Sequence, residues 1–131
     1  MTALESHPVI HALLENGLHH CEEAAVASRI RLIHADALDW IGQLDSAAEV
    51  IYLDPMYPPR PGSASPKKGM RLLQDLVRHD PDRDRALLEI ARMRATGRVV
   101  VKRPHHAEPL LPGKSGDTRG KLVRFDIYPP A

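Results

Sequence analysis

Apolar residues recur every three or four positions in four stretches of the chain, a spacing that indicates helices. The four helices are predicted over residues 8–28, after Asp36, over residues 67–77 and from Pro81 to about Ala95. Asp36 and Asp80 each precede one of these helices, where a carboxylate can accept hydrogen bonds from the first turn. Gly97 is expected to end the last helix, because glycine is common directly after a helix.

Shorter apolar or alternating runs separate these helices and predict strands. The strands are expected at residues 1–4, 29–34, 50–53, 98–102 and 122–128. Residues 104–120 are rich in proline and glycine and predict a loop. Because strands alternate with helices, the pattern predicts an α/β fold with a mainly parallel sheet covered on both faces.

Three carboxylates, Glu5, Asp36 and Asp54, stand at or just past the carboxyl ends of predicted strands. Ligands of parallel sheets bind beyond those ends, so we expect the three side chains at one edge of the sheet. There they could accept hydrogen bonds from a ribose or a base. Two plainer interpretations stay open, in which Asp36 caps a helix and Glu5 is a solvated residue.

The run Asp54-Pro55-Met56-Tyr57 combines a side-chain oxygen, a backbone carbonyl and an aromatic ring. Such a unit can hold an exocyclic amino group between two acceptors while the ring stacks on the base. The chain has one tryptophan, three tyrosines and one phenylalanine, so a tyrosine placed in a proline-rich loop indicates a function. The alternative is a proline-rich turn with a packed tyrosine.

The composition narrows the class of protein. Hydrophobic residues make up 43% and charged residues 27%, which is typical of a folded globular domain. The chain contains no run of eighteen apolar residues, so no transmembrane helix is predicted. We expect a cytoplasmic protein. The single cysteine, Cys21, excludes an internal disulfide and is expected to be a buried apolar residue of the first helix.

Charge divides the chain into two halves. Residues 1–59 hold two basic and nine acidic residues, a net charge of −7, whereas residues 60–131 hold sixteen basic and eight acidic residues, a net charge of +8. The basic half either faces an anion such as nucleic acid or forms solvated loops and helix faces. The eight histidines show no third ligand at metal-binding spacing, so no metal site is predicted.

Seven segments carry a resemblance to a known family: Leu4–Val9, Leu13–Leu18, Arg31–Ala35, Val50–Pro58, Lys67–Arg71, Val99–Pro104 and Arg124–Tyr128. With these segments the chain resembles the ribosomal small subunit methyltransferase J family, which methylates the N2 amino group of a guanine in small-subunit (16S) ribosomal RNA. The run from Asp54 also looks like the Asp/Asn-Pro-Pro-aromatic signature of amino methyltransferases, with Met56 in place of the second proline.

The resemblance implies a Rossmann-like methyltransferase fold with S-adenosylmethionine as the cofactor and no metal. Glu5 would bind the ribose hydroxyls with Ser6 beside it, and Asp36 and Ala37 would line the adenine. Asp54 would stand near the methionine end of the cofactor.

The same resemblance implies a catalytic group and an RNA-binding group. Asp54 and Pro55 would hold the target amine, and Tyr57 would stack on the guanine. The partner would be small-subunit ribosomal RNA or the ribosomal subunit, and phosphate contacts would hold it without reading its sequence. The residues expected to make them are Arg60, Lys67, Lys68, Arg71, Lys102 and Arg103.

The family's sheet has the strand order 3-2-1-4-5-7-6, and residues 1–131 correspond to the part from the end of strand 2 to the last strand. We therefore expect a partial catalytic domain, incomplete at the amino terminus, that binds S-adenosylmethionine poorly by itself. Two alternative functions stay open. One is a non-catalytic RNA-binding remnant, and the other is an adenine-N6 nucleic-acid methyltransferase, which would share the Asp54 motif.

Overall fold

The computed structural model describes residues 1–45, 47–56 and 79–131. The helix predicted over residues 67–77 lies outside the described residues. The chain divides into two compact units, Met1–Gln43 and Leu44–Ala131.

The first unit holds two short parallel strands and three helices. Its elements are β1 (Thr2–Glu5), α1 (Pro8–His19), α2 (Ala24–Ala27), β2 (Arg31–His34) and α3 (Ala37–Gly42). β1 and β2 pair in parallel from Thr2 opposite Arg31 to Glu5 opposite His34. Asp36 caps α3 as predicted, because its Oδ1 accepts hydrogen bonds from the amides of Leu38 at 2.9 Å and Asp39 at 3.3 Å.

The single helix predicted over residues 8–28 is wrong, because the structure has two helices there. α1 ends at His19, where the amide of Cys21 bonds to the carbonyl of Leu18 and tightens the last turn. Gly17 lies inside α1 and does not interrupt it. Cys21 therefore falls between the helices and is exposed, which contradicts the buried position expected for it.

The second unit is a four-stranded sheet with one described helix. Its elements are β3 (Ala48–Leu53), α4 (Pro81–Arg94), β4 (Ala95–Pro104), β5 (Gly116–Arg119) and β6 (Val123–Tyr128). The strand order is β3-β4-β6-β5. β3 and β4 are parallel, whereas β6 is antiparallel to both β4 and β5. The helix–strand alternation predicts a mainly parallel sheet, but in this unit only the β3–β4 pair is parallel. β4 and β6 are antiparallel because no helix between them provides the crossover that a parallel pair needs.

The predicted bounds of α4 are confirmed to within one residue, because the helix spans Pro81–Arg94, but the role expected for Gly97 is wrong. Asp80 accepts hydrogen bonds from the amides of Asp82 and Arg83, as an N-cap does. Gly97 does not end the helix but lies within β4, where the register with β3 shifts. A Cβ at Gly97 would lie 2.7 Å from the backbone oxygen of Glu49, so the glycine permits a close approach of the two strands.

The core of this unit lies on the sheet face that α4 covers. Leu88 and Ala91 of the helix are fully buried, as are Val99 and Val101 of β4. β5 was not expected, since residues 104–120 predict a loop, and its sequence Gly-Asp-Thr-Arg has no apolar signal. It forms as an edge strand through its ladder with β6.

Candidate active site

The first unit places the predicted site residues Glu5, Ser6 and Asp36 at or just after the carboxyl ends of its two strands. Glu5 is the last residue of β1, and its carbonyl accepts a hydrogen bond from the amide of Ala35 at 3.1 Å, just before Asp36. The His34 Nε2 atom lies 3.0 Å from the carbonyl of Ser6. The end of β2 is therefore held beside Glu5, as the strand-end argument predicts for Glu5 and Asp36, whereas Asp54, the third carboxylate of that prediction, belongs to the other unit.

The two carboxylates at this end have different surroundings. The Oε1 atom of Glu5 accepts a hydrogen bond from the amide of His7 at 2.7 Å, which orients a partly buried carboxylate. The Oδ1 atom of Asp36 accepts the capping bonds of α3, so the helix-cap interpretation is confirmed for this residue. Ala37 follows as the first residue of α3.

The second unit places Asp54 directly after β3, beside a lysine of β4. The Nζ atom of Lys102 donates a hydrogen bond to Oδ2 of Asp54 at 2.8 Å. The Asp54 side chain is 45% exposed and that of Lys102 is 33% exposed, so the pair is open to solvent on one side. The hydrogen bond with Asp54 raises the pKa of Lys102, although burial opposes the change.

Tyr52 lies on the same face of β3 as Asp54, two residues earlier, and the sequence reasoning missed it. Its ring is 6.5 Å from that of Phe125, centroid to centroid, at a tilt of 39°. Burial raises the pKa of Tyr52, and the negative charge of Asp54 adds to the effect. The period-2 alternation of a strand, applied backwards from Asp54, is the signal that would have identified this residue.

His79, two residues before α4, also contacts the Asp54 motif. His79 Nδ1 donates a hydrogen bond to the carbonyl of Met56 at 2.7 Å, and the Asp84 Oδ2 atom lies 3.6 Å from the same nitrogen. Burial raises the pKa of Asp84, and the charge of His79 opposes this change. His79 was also missed, and a lone histidine before a helix gives no sequence signal for such a contact.

Two of the predicted RNA-binding residues are described, and both contact other parts of the chain. Lys102 pairs with Asp54, whereas the Nε and Nη2 atoms of Arg103 donate to the carbonyl of Glu108 at 3.1 and 2.6 Å. The predicted stacking residue Tyr57 and the other predicted RNA-binding residues lie outside the described residues. Those RNA-binding residues are Arg60, Lys67, Lys68 and Arg71.

Neither a metal centre nor a membrane span is found in the described part of the chain. Within residues 1–45, 47–56 and 79–131, no group of three or more histidine, cysteine, aspartate or glutamate side chains is arranged to hold a metal ion. No helix among those residues has both the length and the apolar character needed to cross a membrane.

Comparison with known proteins gives methyltransferases among the relatives. A family model described as "Putative SAM-dependent methyltransferase" matches residues 1–130. The Ribosomal RNA small subunit methyltransferase J of Serratia proteamaculans (strain 568) is 47% identical over 133 residues, covering 97% of this chain and 53% of the relative. The protein of the same name from Yersinia enterocolitica is 46% identical, covering 97% of this chain and 52% of the relative.

Solved structures agree with these relatives. A SAM-dependent methyltransferase from Neisseria gonorrhoeae superposes with a TM-score of 0.74 at 31% identity, covering 98% of this chain and 55% of that chain. A glycopeptide N-methyltransferase complexed with S-adenosyl-L-homocysteine has a TM-score of 0.51 at 16% identity, covering 98% of this chain and 56% of that chain, which indicates a shared fold.

The chain spans about half the length of the curated relatives that it matches. The family model nevertheless matches almost every residue, and the fold is that of the methyltransferase structures. The chain therefore belongs to the family of S-adenosylmethionine-dependent methyltransferases.

Proposed function

We propose that this chain takes part in S-adenosylmethionine-dependent methylation of the N2 amino group of a guanine in small-subunit (16S) ribosomal RNA. The observation that carries the proposal is the position of Asp54, a partly exposed carboxylate directly after β3 and followed by Pro55. The names of the relatives support the RNA substrate, since each is a ribosomal RNA small subunit methyltransferase J.

The residues at the end of β1 and β2 fit the cofactor by their chemistry. A carboxylate oriented by one backbone amide, as Glu5 is, can accept hydrogen bonds from the two ribose hydroxyls. We assign the ribose to Glu5 and Ser6, and the adenine to Asp36 and Ala37 at the start of α3. When bound, S-adenosylmethionine supplies a sulfonium methyl group that is transferred to the amine nitrogen as its bond to sulfur breaks.

Asp54 and Pro55 would hold the target amine. The carboxylate of Asp54 and the carbonyl of Pro55 would each accept one N–H of the exocyclic amino group, which would leave the nitrogen lone pair free to take the methyl group. Alignment of this kind would supply most of the rate enhancement, because the two reacting groups are already held in position when the displacement begins. The nitrogen becomes acidic once it forms the new bond to carbon, and Asp54 accepts the proton that it loses. Tyr57 would stack on the guanine.

The basic half of the chain would hold the RNA by its phosphates. The proposed phosphate contacts all belong to the part of the chain with a net charge of +8. They are Arg60, Lys67, Lys68, Arg71 and Arg103. Contacts of this kind give affinity and orientation without sequence readout. We propose small-subunit ribosomal RNA, free or in the ribosomal subunit, as the partner.

We further propose that residues 1–131 form part of a larger catalytic domain. The sheets β1-β2 and β3-β4-β6-β5 match strands 2-3 and 4-5-7-6 of the order implied by the resemblance. The relatives are about twice as long as the matched region, which supports the same proposal.

A chimeric protein tests the function directly. In it, this chain replaces the matching part of the Serratia proteamaculans relative, which supplies the remainder. Methyl transfer from S-adenosylmethionine is then measured on small-subunit ribosomal RNA and on adenine-containing DNA, with Asp54→Ala as the test variant and Asp82→Ala as the matched surface control. Transfer to RNA that is lost only in Asp54→Ala supports the proposal. Transfer to DNA alone indicates the adenine-N6 alternative, and RNA binding without transfer indicates a non-catalytic module.

A further inference from the structure

We propose that Lys102 is a positioning residue for the amine-binding carboxylate, holding Oδ2 of Asp54 so that Oδ1 accepts the hydrogen bond of the target amine. This inference rests on the proposed function, because it assigns Lys102 a role through Asp54. It gives Lys102 a different role from the phosphate contact expected from its sequence position.

The strand register places the two side chains together. β3 and β4 are parallel, with Leu53 opposite Val101, so the next residues along the chain, Asp54 and Lys102, lie side by side. Paired positions of neighbouring strands point to the same face of a sheet. The 2.8 Å contact between Lys102 Nζ and Asp54 Oδ2 therefore follows from the backbone pairing.

The surroundings of the pair limit its exposure to water. Tyr52 precedes Asp54 on the same face, and its ring contacts that of Phe125, which is paired with Lys102 across β4 and β6. Two thirds of the Lys102 side chain is shielded from solvent. An ion pair in such a setting is screened less than a fully exposed one. The hydrogen bond with Asp54 raises the pKa of Lys102, although burial opposes the change.

The pairing has a chemical consequence. A carboxylate on a single strand end can rotate about its side-chain bonds, and each misplaced rotamer lowers the fraction of molecules ready to receive the amine. A lysine that holds one oxygen removes this freedom and leaves the second oxygen as the acceptor. A phosphate contact would act on the affinity for RNA and on its salt dependence, whereas positioning of Asp54 would act on kcat, so the two roles predict different results.

The first experiment uses the 131-residue chain itself and needs no activity. Nuclear magnetic resonance measures the three-bond couplings to Cγ of Asp54, which report its χ1 rotamer, in the unmodified chain, in Lys102→Met and in the control Lys121→Met. We expect one rotamer in the unmodified chain and in the control, and averaged couplings in Lys102→Met. Unchanged couplings in Lys102→Met would overturn the proposal.

The second experiment separates positioning from phosphate binding in the chimeric protein. We expect Lys102→Met to lower kcat about 10- to 100-fold, with the KM for RNA within about twofold of the unmodified value. Lys102→Arg, which retains the charge, should recover part of kcat. The slope of log affinity for RNA against log salt should stay the same in Lys102→Met, whereas loss of a phosphate contact would reduce it by about 0.7 to 0.9.

The two experiments fail in different ways. If the chimeric protein transfers no methyl group but the Asp54 couplings change as expected, the proposed function is wrong and the pairing of Lys102 with Asp54 stands. If transfer occurs and Lys102→Met raises only KM and reduces the salt slope, Lys102 is a phosphate contact and the positioning role is wrong.

Discussion

At the scale of residues, the buried ion pair between Arg124 and Asp126 stabilises the last strand. The Nε and Nη2 atoms of Arg124 donate to the two carboxylate oxygens of Asp126 at 2.6 and 2.9 Å, and Lys114 donates to Oδ1 at 3.1 Å. Asp126 is fully buried and Arg124 is 7% exposed. Removing one partner of such a pair leaves the other charge buried without compensation, and this cost exceeds the net contribution of the intact pair.

This pair predicts a loss of stability in acid. Burial raises the pKa of Asp126, but the hydrogen bonds from Arg124 and Lys114 outweigh it and leave the pKa below the ordinary value of 3.8. A carboxyl group whose pKa is lower in the folded state stabilises the fold above its unfolded pKa, and this contribution disappears as the pH falls through the folded pKa. The free energy of unfolding, measured by urea denaturation, should therefore fall as the pH drops below about 4.

Asp126→Asn tests that assignment. We expect it to lower the free energy of unfolding by about 3 kcal/mol at pH 7 and to make the remaining acid dependence shallower. Asp82→Asn removes the same charge from a side chain that is 93% exposed and should change stability by less than about 0.5 kcal/mol. An equal loss in both variants would contradict a specific role for the buried pair.

The same strand, β6, shows that the sequence predicts the strand but not which of its side chains are buried. The alternation of residues 122–128 predicts β6, but Arg124, Asp126 and Tyr128 occupy the buried positions, while Phe125 and Ile127 are only half-buried. Arg124 and Asp126 are buried because they bond to each other and because Arg124 also donates to the carbonyls of His105 and Ala107, which are 19 and 17 positions away in the sequence. Asp54 was identifiable because its motif is local, whereas its pairing with Lys102 depends on the strand register.

At the scale of elements, the close approach of β3 and β4 at Gly97 controls their register. The register shifts between Ala48 and Val50, and a Cβ at Gly97 would meet the backbone oxygen of Glu49 at 2.7 Å. Backbone atoms cannot move aside as the end of a flexible side chain can, so the strands would have to separate. The caps of α3 and α4 were predictable from sequence, but this contact was not, because it joins residues 48 positions apart.

We expect Gly97→Ala to destabilise the chain by about 1 to 3 kcal/mol, since overpacking at a backbone contact forces a shift of the strand. Gly116→Ala is the matched control, because a Cβ at Gly116 meets nothing within 4 Å. Urea denaturation followed by circular dichroism measures both. Equal stability of Gly97→Ala and the unmodified chain would show that β3 and β4 tolerate the side chain.

At the scale of the whole molecule, the family is established while the chain spans about half of its curated relatives. The cofactor residues that we propose, Glu5 and Asp36 among them, offer acceptors for the ribose and adenine. The resemblance made the strand order within each sheet predictable, whereas nothing in the hydrophobic pattern indicated two compact units.

The proposal that residues 1–131 form part of a larger catalytic domain predicts weak cofactor binding by the 131-residue chain. Isothermal titration calorimetry with S-adenosylmethionine should detect no micromolar binding to the isolated chain, because the remainder of the proposed domain would complete the cofactor site. The chimeric protein serves as the positive control and should bind. Micromolar affinity of the isolated chain would show that residues 1–131 form a complete cofactor site.

The central claim, methyl transfer to a guanine N2 through Asp54, is tested most directly by the nucleosides of the product. Small-subunit ribosomal RNA is incubated with S-adenosylmethionine and the chimeric protein, digested, and examined by mass spectrometry. We predict that N2-methylguanosine forms and that Asp54→Ala lowers its rate of formation about 100-fold or more, since the amine loses its positioned acceptor. Methylation of another nucleoside, or undiminished N2-methylguanosine in Asp54→Ala, would contradict the account.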